Sequence, residues 1–140
     1  MAVDITLLES LEFFAGLDRE DLDRFAVSMN RVKVAEGESL TRTGDVAGAF
    51  FIVLNGNFMI HFKNGRAVTI HEKGEVIGWS AAVAPFRYTG ATVALTEGEV
   101  LALDDADFLD MIRQDSGLGD VMMKKLEPTI STRASIFKMT

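Results

Sequence analysis

The sequence predicts an antiparallel β-roll of the jelly-roll type, mainly β in class, with helices at its N- and C-terminal ends. Short β-forming runs recur between glycine turns about eight times, which is typical of a barrel or jelly roll. Two Asn-Gly pairs separate strand patterns in the middle of the chain. Apolar residues at helical spacing lie before and after this region.

The N-terminal helices are expected over about residues 5–29. A short helical pattern runs around Leu7 to Phe14, and a longer one begins at Asp18, whose carboxylate suits an N-cap. One apolar stripe at helical spacing follows, formed by Leu22, Phe25, Ala26 and Met29. We expect this stripe to cover the core.

The β-roll is expected over about residues 31–104. Its centre is the dense β-forming run Ala49–Leu54. Asn55-Gly56 predicts a hairpin from this run to the strand 58–62, and Asn64-Gly65 predicts a second hairpin to the strand 67–71. Both residues of a type I′ turn take positive φ, which Asn-Gly tolerates. The prediction is therefore a three-stranded meander. The flanking strand patterns are Val32–Val34, Ser39–Arg42, Ala91–Leu95 and Val100–Leu103.

The C-terminal helices are expected over about residues 105–136. Asp104 or Asp105 can begin a helix that runs through Arg113, and Ser116 or Gly117 precedes another. The second helix has apolar residues at helical spacing, and Pro128 should kink or end it. These apolar residues are Leu118, Val121, Met122 and Leu126. Residues 1–140 are expected to form one domain.

Composition excludes several classes of protein. The chain has no cysteine, so it forms neither disulfides nor thiolate metal sites. The net charge is −7 with no basic face, so we expect no direct nucleic-acid binding. The start resembles no signal peptide, and no apolar run is long enough to cross a bilayer. We expect a cytoplasmic protein without membrane contact.

The order of elements and the glycine spacing resemble the cyclic-nucleotide-binding domain family over about residues 7–135. The opening pattern of that family is matched by Gly37-Glu38, Gly44-Asp45, Phe50–Val53 and Gly56. Its glycine-rich pocket segment is matched by Gly74–Gly78, and the strands that follow by Ala91–Val93 and Val100–Leu103.

This resemblance implies a ligand pocket inside the roll near Gly78–Thr92. In the family an arginine pairs with the cyclic phosphate and a glutamate holds the ribose hydroxyl. The position directly after Gly78 is Trp79 instead of the glutamate, and the position three residues before Thr92 is Thr89 instead of the arginine. The nearest cation is Arg87, two positions early. Because each charge-assisted bond contributes about 1.5–3 kcal/mol, tight binding of cyclic AMP is not expected.

The candidate ligand-binding residues together suggest an altered pocket, which is aromatic with one cation and hydroxyl groups. Such a pocket fits a cyclic nucleotide bound weakly or another small anionic or aromatic ligand. The candidates are Gly78, Trp79, Ser80, Arg87, Tyr88 and Thr89.

The expected function is a regulatory, ligand-sensing module that signals through its C-terminal helices to a homodimer or a partner protein. No enzyme is expected, because the sequence has no nucleophile motif, P-loop or zinc motif. A cupin-like metal site would have to combine His61, His71 and Glu72, which is too few histidines to favour it. The alternative is a ligand-free interaction or dimerisation module whose pocket is filled by Trp79.

Overall fold

A computed structural model describes residues 3–78 and 87–125. The chain begins with helix α1 (Ile5–Glu9), a 3₁₀ turn (Glu12–Phe14) and helix α2 (Arg19–Ser28). After the strands come helix α3 (Asp105–Gln114) and a helical segment over residues 116–125. Within the described ranges there are eight strands: β1 (Asn30–Val34), β2 (Ser39–Thr41), β3 (Ala49–Asn55), β4 (Phe58–Phe62), β5 (Ala67–Ile70), β6 (Val76–Ile77), β7 (Gly90–Ala94) and β8 (Gly98–Asp104).

The strands form two four-stranded antiparallel sheets. The first has the order β1-β8-β3-β6 and the second the order β2-β7-β4-β5. Strands that are neighbours in the chain alternate between the sheets, except β4 and β5, which pair with each other. This is the topology of a jelly roll, and the predicted fold class is confirmed.

The core has two parts, on the two faces of the first sheet. The side chains of β3 alternate between them, because successive strand residues point to opposite faces. Phe50 and Ile52 belong to the helix core, and Val53 belongs to the roll interior. The helix core includes Leu8, Phe14, Leu22, Phe25, Ala26, Met29, Phe50, Ile52, Tyr88, Leu101, Leu103, Phe108, Met111, Leu118 and Met122. The roll interior comprises Val34, Val53, Phe58, Ile60, Phe62, Ile70, Ile77, Ala94 and Val100.

The predicted stripe of α2 is confirmed as a buried face. Asp18 is the N-cap, and its side chain accepts a hydrogen bond from the N–H of Asp21 at 2.9 Å. The four stripe residues are at most 6% exposed and pack in the helix core. Burying apolar side chains of this size is the main source of folding free energy, so this helix is held by its packing.

The hairpin predicted at Asn64-Gly65 is confirmed, although its turn begins earlier than a two-residue Asn-Gly turn would. β4 and β5 pair in register on either side of it. The N–H of Gly65 donates to the carbonyl of Phe62 at 3.0 Å, so Gly65 closes the turn with a φ of 84° instead of sitting at its centre. A three-residue loop closed by a glycine of positive φ is the next most common hairpin connection.

The hairpin predicted at Asn55-Gly56 is wrong, and with it the three-stranded meander. β3 lies in one sheet and β4 in the other, so the chain crosses between sheets at this point. Gly56 has a φ of 102°, and a Cβ there would lie 2.7 Å from the Cα of Gly98. The glycine therefore permits a close backbone crossing.

The C-terminal helices begin near the predicted positions. Asp104 is the N-cap of α3 but makes no side-chain capping bond. The next helical segment is capped by Asp115, whose Oδ1 accepts from the N–H of Leu118 at 3.1 Å, so the cap precedes the predicted Ser116 or Gly117. The predicted contribution of Leu126 and the kink at Pro128 lie outside the described residues.

Candidate functional site

The described part of the candidate site lies where β6 ends and β7 begins. Gly78 follows β6 directly and has a φ of 81°. A Cβ at this position would lie 3.1 Å from the carbonyl oxygen of Ala49 and 3.2 Å from Cε1 of Tyr88. Gly78 is thus required both by its backbone conformation and by the close packing of Tyr88 against the start of β3.

Arg87 lies on the outer surface of the roll. Its backbone forms an antiparallel bridge to Val46, and its Nη1 donates to the carbonyl oxygen of Gly44 at 3.0 Å. The side chain is exposed. In this arrangement the guanidinium binds the loop 44–46 and does not reach the roll interior.

Tyr88 is buried and points toward β3. Its hydroxyl donates to the carbonyl oxygen of Ala49 at 2.6 Å and accepts from the N–H of the same residue at 3.3 Å. Burial raises the pKa of Tyr88 above its usual value, the hydrogen bond with Ala49 opposes this rise, and the nearby carboxylate of Asp105 adds to it. Tyr88 belongs to the helix core, so its ring packs with the helices and not with a ligand in the roll interior.

The remaining predicted site residues fall into two groups. Thr89 is half-buried just before β7, at the position where the resemblance places an arginine. Trp79 and Ser80 lie outside the described residues. The structure therefore brings Gly78 and Tyr88 into contact and places Arg87 on a separate surface.

Two polar residues that sequence reasoning missed lie inside the roll. Of the side chains that the structure describes, Thr41 and Thr92 are the buried polar ones, at 4% and 2% exposed. Their hydroxyl oxygens are 2.8 Å apart. Thr41 Oγ1 also contacts the carbonyl of Gly90 at 3.0 Å and accepts from the N–H of Thr92 at 3.0 Å. Threonine in a strand pattern is ordinary, so no local pattern in the sequence announces this pair.

The roll interior beside β7 is apolar and packs closely against the backbone of this strand. A Cβ on Gly90 would lie 2.6 Å from Cγ2 of Ile60 and 3.3 Å from Cε1 of Phe62. All lysines and arginines in the described ranges are exposed or half-buried. An anion in the roll interior would therefore receive hydroxyl and backbone donors from the described residues, but no cationic side chain.

A cleft of about 650 Å³ lies at the Gly98 end of β8, away from the candidate site, and its lining is rich in carboxylates. It is lined by Lys33, Val34, Ala35, Glu38, Asn55, Glu97, Gly98 and Glu99. Arg31 donates to both oxygens of Glu99, at 2.7 and 2.8 Å. This hydrogen-bonded pair lowers the pKa of Glu99 below its usual value.

Among residues 3–78 and 87–125, no three histidine or carboxylate side chains come together as a metal site. No described helix combines the length and apolar character needed for a membrane span.

The two-sheet roll with helices packed on one face places the chain in the class of jelly-roll domains with terminal helices. Residues 31–115 match the sequence model of the family described as "Cyclic nucleotide-binding domain". This match covers more than half of the chain. The chain belongs to the cyclic nucleotide-binding domain family.

Other proteins are similar to this chain in sequence or in fold. An uncharacterized NTE family protein of Mycobacterium tuberculosis is 26% identical over 121 residues, which cover 86% of this chain and 21% of that protein. The chain therefore spans about a fifth of that relative. A putative cyclic nucleotide-binding protein from Geobacter metallireducens has a similar structure, with a TM-score of 0.85, 21% identity and coverage of 94% of this chain and 98% of that one. The regulatory subunit of a cAMP-independent protein kinase A from Trypanosoma brucei has a TM-score of 0.73, 20% identity and coverage of 91% and 46%.

Proposed function

We propose that this chain is a cytoplasmic, ligand-sensing regulatory module with altered or weak nucleotide specificity, and that it is not itself an enzyme. The observation that carries this proposal is the absence of a cationic side chain from the described roll interior. Arg87 is the nearest cation to the position of the family arginine, and its guanidinium is bonded to Gly44. Thr89, which occupies that position, offers a neutral hydroxyl.

Because the described roll interior has no cationic side chain, we expect it to bind a phosphate weakly. An arginine forms two parallel charge-assisted bonds with a phosphate, and each contributes about 1.5–3 kcal/mol. The hydroxyl of Thr89 can donate only one hydrogen bond to a phosphate and supplies no positive charge. A cyclic nucleotide should therefore bind less tightly here than in a domain that retains the arginine.

The proposed ligand is a small anion, either a cyclic nucleotide held weakly or another molecule that suits an aromatic and hydroxyl-rich site. The fold itself does not require cyclic AMP, since the Trypanosoma chain with this fold is described as part of a cAMP-independent kinase. Of the residues predicted for the ligand segment, we propose that Gly78, Trp79, Ser80 and Thr89 face the ligand, whereas Arg87 and Tyr88 hold the neighbouring backbone.

The proposed output is a change in the C-terminal helices. Phe108 and Met111 of α3, together with Leu118 and Met122 of the following helix, pack in the same core as Tyr88. A ligand that prefers one position of the β7 start would shift the population of helix arrangements. We propose that these helices then alter a homodimer or a contact with a partner protein.

Titration calorimetry with cyclic AMP and cyclic GMP tests this proposal on three proteins. We expect weak binding by the wild-type protein and about a tenfold or larger gain in affinity for Thr89→Arg, since 1.4 kcal/mol corresponds to tenfold. Thr69→Arg is the matched control, because it adds the same charge to an exposed position of β5 and should change affinity little.

The outcomes separate the alternatives. Tight binding of cyclic AMP by the wild-type protein, or no gain in Thr89→Arg over Thr69→Arg, would contradict the altered-site proposal. No binding by any of the three proteins would favour the ligand-free interaction module. Arg87→Ala should leave affinity within about twofold, because its guanidinium serves Gly44.

A further inference from the structure

One peptide group links the candidate site to α3. The peptide between Gly48 and Ala49 contributes the carbonyl of Gly48 and the N–H of Ala49. The carbonyl accepts from the N–H of Asp105 at 3.0 Å, and the N–H donates to the hydroxyl of Tyr88 at 3.3 Å. The two bonds are made by opposite edges of one peptide plane.

The bond to Asp105 matters for the start of α3. Asp105 is the first residue of that helix, and its N-cap, Asp104, makes no side-chain capping bond. The first N–H groups of a helix have no partner inside the helix. The carbonyl of Gly48 therefore supplies an anchor that the cap does not.

Tyr88 and Gly78 also hold the next carbonyl of β3, that of Ala49. Tyr88 also donates to the carbonyl of Ala49 at 2.6 Å, and Gly78 packs against that carbonyl. The backbone of Tyr88 in turn is fixed by bonds with Gly44 and Asp45, at 2.9 and 3.0 Å. Tyr88 is thus held between the surface loop 44–46 and β3.

We propose that Tyr88 is a positioning residue that couples the start of β7 to the first turn of α3 through the Gly48–Ala49 peptide. A peptide group is planar, so it tilts as one body. A tilt that follows the hydroxyl of Tyr88 also turns the Gly48 carbonyl relative to Asp105. The regulatory meaning of this link rests on the proposed function, whereas the link itself does not.

Hydrogen exchange of the uniformly labelled protein, followed amide by amide by NMR, tests the link without any ligand. Tyr88→Phe keeps the ring and removes the hydroxyl. We expect the amide of Asp105 to exchange about tenfold faster in this variant, because the Gly48–Ala49 peptide loses the hydroxyl that holds it and its carbonyl then binds the N–H of Asp105 less firmly. Thr96→Val is the matched control, because it removes a hydroxyl that serves Asn57 near the opposite end of β8. Asp105 should exchange in this control as in the wild-type protein.

Unchanged protection of Asp105 in Tyr88→Phe would overturn the inference. So would an equal acceleration in Thr96→Val, because it would report a general loss of stability. Acceleration confined to Tyr88→Phe and including Asp105 would support the link.

A second measurement asks whether a ligand uses the link. The chain has no cysteine, so spin labels can be placed through Lys63→Cys and Arg113→Cys, on the β4–β5 turn and on α3. Millimolar cyclic AMP and cyclic GMP are the probes, and calorimetry reports whether they bind.

A label distance that shifts with ligand in the wild-type background, but not with Tyr88→Phe at similar affinity, supports the inference. An equal shift in both backgrounds overturns it. Absence of binding counts against the proposed function, and the exchange result alone then decides the link.

Discussion

The two ends of the roll are closed by different means. At the glycine end, formed by Gly56 and Gly98, the backbones touch, and a Cβ on Gly98 would lie 2.6 Å from the carbonyl oxygen of Asn55. At the hydroxyl end, formed by Thr41, Thr92 and Tyr88, side-chain hydroxyls make the contacts. Thr41 and Thr92 join β2 to β7 within the second sheet, and Tyr88 joins the start of β7 to β3 of the first sheet.

This difference separates a fixed end from an adjustable one. A backbone contact without side chains has one close-packed arrangement, and small displacements meet steep repulsion. A hydroxyl group can rotate and exchange one acceptor for another at little cost. The candidate site lies at the hydroxyl end, where a ligand can compete for hydrogen bonds, and substitutions at the two ends should fail in different ways.

The largest expected effect is that of Gly56→Ala at the glycine end. The new Cβ would lie 2.7 Å from the Cα of Gly98, and the φ of 102° strains any residue with a Cβ. Steric overlap and backbone strain together should reduce the free energy of unfolding by about 3 kcal/mol or more. Urea denaturation followed by circular dichroism measures it.

Gly65→Ala is the control for that substitution. Gly65 has a φ of 84°, but a Cβ there would meet nothing within 4 Å. It should therefore cost about 1 kcal/mol, from the backbone strain alone. Equal losses in the two variants would contradict the claim that close packing holds the glycine end.

The next effect is at the hydroxyl end, where Thr41→Val should cost more than Thr92→Val. Thr41 Oγ1 is the shared partner of Gly90 and Thr92, so its removal leaves buried polar groups unpaired, at about 2 kcal/mol. Thr92→Val leaves Thr41 with its two backbone partners and should cost below about 1 kcal/mol. Thermal unfolding of both variants measures the difference.

The double variant sharpens this prediction. With both hydroxyls replaced, the backbone groups of Gly90 and Thr92 still lack Thr41, so the double variant should resemble Thr41→Val. A larger loss of unfolding free energy in Thr92→Val than in Thr41→Val would contradict the view that Thr41 is the partner of the backbone groups of Gly90 and Thr92.

The smallest effect belongs to Glu99, near the glycine end. Its pKa is lowered first of all by the hydrogen bond with Arg31, so the stabilisation is complete above the usual value of 4.5. The stabilisation is lost as the pH falls through the lower, folded-state pKa. Glu99→Gln should reduce the free energy of unfolding at pH 7 by less than Thr41→Val or Thr92→Val does. The difference from the wild-type protein should shrink as the pH falls below 4.5. A difference that grew with acid would contradict the sign of this shift.

The fold was largely predictable because its patterns are local. The stripe on α2, the cap at Asp18 and the turn glycines each depend on neighbours within a few positions. The wrong prediction of a meander shows the limit of local patterns. Asn55-Gly56 has the composition of a hairpin turn, but Gly56 packs against Gly98, and no short-range rule predicts that contact. Sheet membership depends on such distant pairs.

The site was less predictable for the same reason. The resemblance indicated the region from Gly78 to Thr92, and the spacing showed that the arginine position holds Thr89. Thr41 and Thr92 are hydrogen-bonded although they are 51 positions apart in the sequence. The guanidinium of Arg87 donates to the carbonyl of Gly44, which is also distant in sequence. These partners follow from the path of the chain.

The pairing of β1 with β8 has a consequence for how the protein is made. Arg31 meets Glu99 68 positions later, and β3 lies beside β8 as well. Contacts this distant in sequence slow folding to milliseconds or longer. During synthesis the apolar run of β3 leaves the ribosome before its neighbour β8 exists. Its bare edge is then open to other chains, so the yield of native protein should depend on chaperones and on low concentration.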